Sequence, residues 1–153
     1  MAAFIVDVGV HGYGCRVTDA RPRPVVLAAI AVGGVVGATA RYALSEAVPV
    51  PDNGFPTATL VTNIFGSFLL GLFAGVSADV SARMHHLRPF FAVGVIGSFT
   101  TFSTFAVENV VLVDRGDVLV AMLYVVATLV AGLGAARLGI DVVRRFDRSA
   151  KRE

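Results

Sequence analysis

Hydroxyl side chains are concentrated in one short stretch of an otherwise apolar segment of this 153-residue chain. Five of the nine residues at 97–105 are serine or threonine, namely Ser98, Thr100, Thr101, Ser103 and Thr104. Such hydroxyls compete with the backbone for helical hydrogen bonds, and Gly97 adds backbone freedom. The pattern favours a break in a helix, whose freed carbonyls must line a cavity, bind an ion or contact other protein. A continuous helix with hydroxyls bonded to its own carbonyls is the alternative.

Three uncharged side chains could take part in a site at this stretch. Phe102 and Phe105 are three residues apart and share a helix face. Their default role is core packing, but the partly positive edge of a phenyl ring can also face an anion. Asn63 shares a face of an earlier segment with Thr59 and Ser67, at a spacing of four residues. Its amide either joins two helices or belongs to a polar path, and the sequence leaves both roles open.

The composition of the chain is that of a membrane protein. It is 56% hydrophobic and 16% charged, with a mean hydropathy of +0.76, whereas soluble domains carry roughly 25% charged residues. Four apolar stretches each approach the roughly 20 residues that cross a bilayer, at about 25–44, 57–78, 89–113 and 118–139. We expect an all-α integral membrane domain over 25–140, a disordered tail over 1–24 and a basic cytoplasmic tail over 141–153.

Lysine and arginine are distributed unequally between the two sides of this four-span arrangement. Of the 13 such residues, ten lie on the side of both termini and the middle loop, with Arg137 nearby. Arg115 and Arg41 lie toward the other side. Because cytoplasmic loops carry the excess of Lys and Arg, we expect both termini in the cytoplasm.

The sequence contains no pattern that indicates catalysis or nucleic-acid binding. It has no P-loop, no HExxH and no Cys/His metal spacing. Neither Ser98 nor Ser103 has a histidine or lysine in its own span to serve as a base. We therefore expect neither an enzyme nor a nucleic-acid partner.

Three motifs, taken in order, resemble those of the Fluc/CrcB fluoride channels. They are GGVVGATARY (33–42), TLVTNIFGSFLLG (59–71) and GSFTTFSTFAVE (97–108). The resemblance implies a passive, fluoride-selective channel through which the anion leaves the cytoplasm. The membrane potential would drive it, at ~2.3 kcal/mol per elementary charge per 100 mV. The resemblance also implies an antiparallel dimer in the inner (plasma) membrane, with two pores and a broken third helix in each subunit.

The resemblance further implies roles for individual residues. A structural Na⁺, which is not transported, would be held by the backbone carbonyls of Gly97 and Thr100 from both subunits. Seven side chains would line the pores: Asn63, Phe102, Ser103, Thr104, Phe105, Tyr124 and Thr128. Arg41 would lie near a pore vestibule or a helix end, and Glu108, which matches an acidic position of the family, would have a vestibule or structural role. Another hydroxyl is expected at position 132, where this chain has Gly132.

The partner is the point on which this chain departs from the resemblance. Many family members have nearly balanced Lys and Arg, insert in both orientations and form homodimers. Because this chain has most of its Lys and Arg on one side, we predict that it inserts in one orientation only. An oppositely oriented paralogue would then complete a heterodimer.

Two other classes of membrane protein share these sequence features. A small multidrug exporter usually needs a carboxylate within a span, and Glu108 lies late in the third span. A non-transporting assembly subunit needs only closely packing glycine pairs, such as Gly33 with Gly37 and Gly71 with Gly75. Fluoride efflux from liposomes distinguishes the three classes.

Overall fold

The computed structural model describes residues 23–48, 54–76 and 87–150. Within these ranges all regular structure is helical, and four segments are long and apolar enough to cross a membrane. The helices are α1 (Pro24–Ala47), α2 (Thr57–Gly75), α3 (a π-helical part, Pro89–Ile96, followed by an α-helical turn, Gly97–Phe99), α4 (Phe102–Asp114) and α5 (Val118–Ala150). Helices α3 and α4 form the third span. The four-span, all-helical prediction is therefore confirmed for the described residues; the predicted tail before residue 23 lies outside them.

Prolines and a tight glycine turn set several of the helix ends. Pro24 and Pro89 lie in the first turn of α1 and α3, where the missing N–H leaves no helical hydrogen bond unmade. Helix α4 ends in a turn in which Gly116 has a φ of 85°. The Asp117 N–H then bonds to the Leu112 carbonyl at 2.9 Å. This turn reverses the chain, so that α5 packs against α4.

The two predicted glycine pairs are used inside the subunit. A Cβ added at Gly33 would lie 3.1 Å from the Cα of Gly94 in α3. One added at Gly71 would overlap the carbonyl of Ala136 in α5. The pairs therefore bring α1 against α3 and α2 against α5, and they give no support to an assembly between subunits.

Helix α5 is longer than the span we predicted. It has 33 residues and so extends for about 50 Å, well past position 139. The predicted basic tail over 141–153 thus begins as a continuation of the helix, as far as Ala150.

Candidate functional site

The third span is interrupted at two residues. Helix α3 ends at Phe99, Thr100 has an extended ψ of 156°, and Thr101 is extended with φ −145° and ψ 124°. Thr101 then caps α4, because its Oγ1 accepts the Thr104 N–H at 3.2 Å. The predicted break is therefore present. Gly97, however, has ordinary helical angles (φ −63°, ψ −30°), so the backbone freedom that we expected it to supply is not used.

The amide of Asn63 is bonded to both backbone groups of Thr101. Its Oδ1 accepts the Thr101 N–H at 2.9 Å, and its Nδ2 donates to the Thr101 carbonyl at 3.0 Å. A continuous helix would have bonded that N–H to the carbonyl of Gly97, four residues earlier. Asn63 thus joins α2 to the break, and the second N–H of its amide remains for another acceptor.

Two backbone carbonyls at the break are no longer in a helical environment. The Gly97 carbonyl has lost its helical donor to Asn63, and the extended ψ of Thr100 turns its carbonyl out of the helical direction. A Cβ added at Gly97 would meet only the Ala92 carbonyl, at 3.7 Å. The surface beside Gly97 is therefore open.

Glu108 lies at the centre of a polar cluster between three helices. Thr59 on α2 donates to its Oε1 at 2.7 Å, and the Tyr124 hydroxyl on α5 donates to its Oε2 at 2.8 Å. Tyr124 is fully buried, and the ring of Phe55 meets it edge-on at 5.3 Å. The sequence predicted a vestibule or structural role for Glu108 but not its partners. Thr59 shares one face of α2 with Asn63, and this alignment could have suggested a polar neighbour.

The two phenylalanines share a face, as their spacing predicted. Their ring centroids lie 6.0 Å apart. Phe105 also packs against Tyr124, with centroids 5.0 Å apart, whereas the Phe102 ring is 80% exposed. The pair therefore leads from the interior of the subunit to its surface.

A cavity of about 260 Å³ connects Arg41 with the break. Its lining includes hydroxyl residues of α2 and of the α3–α4 break, namely Thr59, Thr62, Thr101 and Thr104. The Arg41 Nε is buried, and no acceptor for its N–H is present among the described residues. Since buried donors are normally paired, this cavity suits an anion or an anion-bound water.

The remaining predicted residues lie around this centre. Thr128 donates to the Tyr124 carbonyl at 2.8 Å, and Ser103 lies 3.3 Å from the Thr101 hydroxyl on the exposed side of α4. A Cβ added at Gly132 would lie 3.5 Å from the Ser67 Oγ. The hydroxyl that glycine lacks is thus available from Ser67, a residue that sequence reasoning noted only for its spacing.

Comparison with known proteins agrees with this architecture. The model of the family described as "CrcB-like protein, Camphor Resistance (CrcB)" matches residues 28–140. "Fluoride-specific ion channel FluC 3" of Streptomyces avermitilis is 44% identical over 124 residues, which are 81% of this chain and 61% of that protein. "Fluoride-specific ion channel FluC 2" of Nocardia farcinica is 38% identical over 129 residues, which are 84% of this chain and 92% of that protein.

The length of these relatives varies. The chain spans 61% and 66% of the length of two Streptomyces avermitilis relatives, but nearly the whole of the Nocardia farcinica protein. The region that the family model matches, residues 28–140, includes the break and the residues around it. The family match extends over all four spans, including the interrupted third span. It shows that this chain belongs to the CrcB family.

Proposed function

We propose that this chain is a subunit of a fluoride-selective channel that lets fluoride leave the cytoplasm passively. Its relatives are named as fluoride-specific ion channels, not as enzymes. The observation that carries the proposal is the break at Thr101, held open by Asn63 beside the cavity of Arg41. This arrangement offers hydrogen-bond donors to an anion without a catalytic pair.

Most hydroxyl groups near the site already donate to protein acceptors. Thr59 and Tyr124 donate to Glu108, and Thr128 donates to a carbonyl of its own helix. An anion needs donors that are not already used, because a buried donor makes one strong bond at a time. Thr59 and Tyr124 therefore satisfy the carboxylate, Thr128 satisfies a carbonyl, and the three groups shape the path.

The donors that remain lie together at the break. They are the second amide N–H of Asn63, the Nε of Arg41 and the hydroxyl of Thr104, whose oxygen accepts from Thr101 at 3.0 Å and whose hydrogen is free to turn. We propose that fluoride passes from the Arg41 cavity to these donors. It then crosses the edges of the Phe105 and Phe102 rings, which carry partial positive charge.

A structural Na⁺ at the break fits the residues present. Oxygen ligands suit hard cations, and the carbonyls of Gly97 and Thr100 have left the helical pattern beside an open surface. One chain supplies only these two carbonyls, so the ion would need matching oxygens from a second subunit. When bound, Na⁺ would supply fixed positive charge that holds two breaks together.

The second subunit would be antiparallel, with two pores per dimer. Because Lys and Arg are strongly biased to one side, we propose cytoplasmic termini in the plasma membrane, a single orientation, and an oppositely oriented paralogue as partner.

Substitution Gly97→Ala places a methyl group on the open surface. We expect it to leave the subunit folded and to weaken dimer formation, measured by cross-linking in the membrane.

Fluoride efflux from liposomes tests the proposed function. Vesicles containing the chain, alone or with an oppositely biased paralogue, are loaded with potassium fluoride, and release is started with a potassium ionophore and followed by a fluoride electrode. We expect release of fluoride and not of chloride. Release by the chain alone in mixed orientations would refute the heterodimer, and equal release of chloride would refute the fluoride selectivity.

Substitution Phe102→Ile tests the aromatic part of the path. It removes the ring edge but keeps an apolar side chain at a position that is 80% exposed in the subunit. We expect fluoride release to be abolished while the dimer remains intact. Unchanged release would show that the ring takes no part in conduction.

A further inference from the structure

The end of α5 carries a basic surface that the channel mechanism does not use. Arg137, Asp141, Arg144 and Arg145 line a shallow cavity of about 310 Å³. Their spacing of four, seven and eight residues places them on one side of the helix. We call this group the α5 basic face. Its three arginines and one aspartate carry a net charge of two positive.

This face points away from the helix against which α5 packs. The opposite side of α5 contacts α2: a Cβ added at Gly75 would lie 3.1 Å from both Ile140 and Val143. Arg144 and Arg145 are exposed, and the Arg137 side chain is 71% exposed. The basic face is therefore not a contact between the helices that the structure describes.

The face lies at the depth of lipid headgroups. With Val118 at one edge of the hydrocarbon, Arg137 lies about 28 Å along the helix and Arg145 about 40 Å. The hydrocarbon core is about 30 Å thick and the two headgroup regions bring the bilayer to about 40–45 Å, so the far headgroup region lies about 30–38 Å from Val118. The arginines therefore lie on both sides of the phosphate layer of one leaflet, within reach of their long side chains. This placement holds whichever leaflet α5 enters.

The chemistry of the face suits a phosphate group. Guanidinium groups bind phosphate oxygens with paired, charge-assisted hydrogen bonds. Arg137 is held by Asp141 through an Nε–Oδ2 contact of 3.2 Å. Among residues 23–48, 54–76 and 87–146, whose side chains the structure describes, neither Arg144 nor Arg145 has an ion-pair partner. Two exposed guanidinium groups thus lie beside a third, which is paired with Asp141.

We propose that the α5 basic face binds the phosphate headgroup of an anionic phospholipid. The charge, the exposure and the depth all agree with this ligand, and a basic segment next to a membrane helix is attracted to an anionic leaflet. The proposal does not depend on fluoride conduction, since these residues are not among the proposed channel residues and lipid binding is measured without any ion flux.

Lipid titration of the full-length chain in detergent micelles tests the proposal. The melting temperature is followed as phosphatidylglycerol, phosphatidylcholine or inorganic phosphate is added. We expect phosphatidylglycerol to raise it in a saturable way and the other two to leave it unchanged. An equal effect of phosphatidylcholine would overturn the proposal. An equal effect of inorganic phosphate would also overturn it, because it would show a soluble phosphate site.

Three variants assign the effect to the face. In the double variant Arg144→Gln/Arg145→Gln we expect the half-saturating phosphatidylglycerol concentration to rise about thirtyfold. Each basic residue near an anionic surface contributes a factor of about five, and two are removed. Asp141→Asn should lower it about fivefold, since it removes the negative charge of the face. Arg115→Gln, in the turn that precedes α5, is the matched control and should change nothing. Unchanged lipid response in the double variant, or weaker response in Asp141→Asn, would overturn the assignment.

Discussion

Replacing Asn63 by leucine removes the side chain that bonds to both backbone groups of Thr101. The Thr101 carbonyl, as the N-cap of α4, keeps the first helical bond, so the change leaves only the Thr101 N–H without a partner. An orphaned buried donor costs about 1–3 kcal/mol, and the lost second bond to the carbonyl adds about 0.6 kcal/mol. We therefore expect Asn63→Leu to lower the free energy of unfolding by about 2–3 kcal/mol.

Unfolding of the subunit by a denaturing detergent measures this loss. The matched control is Thr62→Val on the same helix, because the Thr62 hydroxyl bonds only to the Ala58 carbonyl at 2.8 Å and should cost less than about 1 kcal/mol. Asn63→Asp keeps an acceptor for the Thr101 N–H but adds a negative charge on the proposed anion path. Because its second carboxylate oxygen would face the Thr101 carbonyl, where Asn63 donates at 3.0 Å, it should lose stability as well as fluoride release. A cost for Asn63→Leu equal to that of Thr62→Val would refute the argument that Asn63 holds the break.

Two further substitutions address the packing of the break and the polar cluster. Alanine in place of helical glycine normally stabilises by about 1 kcal/mol, as we expect for Gly134→Ala, where a Cβ meets nothing within 4 Å. A Cβ added at Gly66 would overlap the Thr100 side chain. Gly66→Ala should therefore lower the free energy of unfolding by about 1–3 kcal/mol in the same detergent titration. An equal increase in stability in Gly66→Ala and Gly134→Ala would contradict this. Tyr124→Phe removes the 2.8 Å donor to Glu108 and should cost about 1.5–3 kcal/mol and lower fluoride release. A variant as stable and as active as wild type would show that Thr59 alone satisfies the carboxylate.

The sequence was sufficient to predict the helical spans and the presence of a break. Apolar stretches long enough to cross a bilayer have few alternatives to helix, and the density of hydroxyls at 97–105 marked the interruption. The position of the break was not predictable from that stretch alone. It lies at Thr100 and Thr101, because Asn63, 38 residues earlier in the chain, takes the N–H that a helix would have used.

Two other features also depended on contacts between distant segments. The small residues Gly33 and Gly71 indicated close helix packing, but only the fold shows that the neighbouring helices belong to the same subunit. The length of α5 was underestimated because charged residues after position 139 resemble a tail by composition. Spacing along α5 nevertheless places Arg137, Arg144 and Arg145 on one side of a helix that continues.

The two hydrogen bonds of Asn63 also indicate which segments must be moved together to reproduce the break in another protein. They reach the main chain of Thr101 and not its side chain. The residue that stabilises the interruption therefore lies on α2 and not in the interrupted helix. We expect the segment 97–105 grafted alone into a host membrane helix to remain continuous, and a graft that includes a facing asparagine to reproduce the interruption. A designed ion pathway that uses this break would therefore need both segments, one from each of two neighbouring helices.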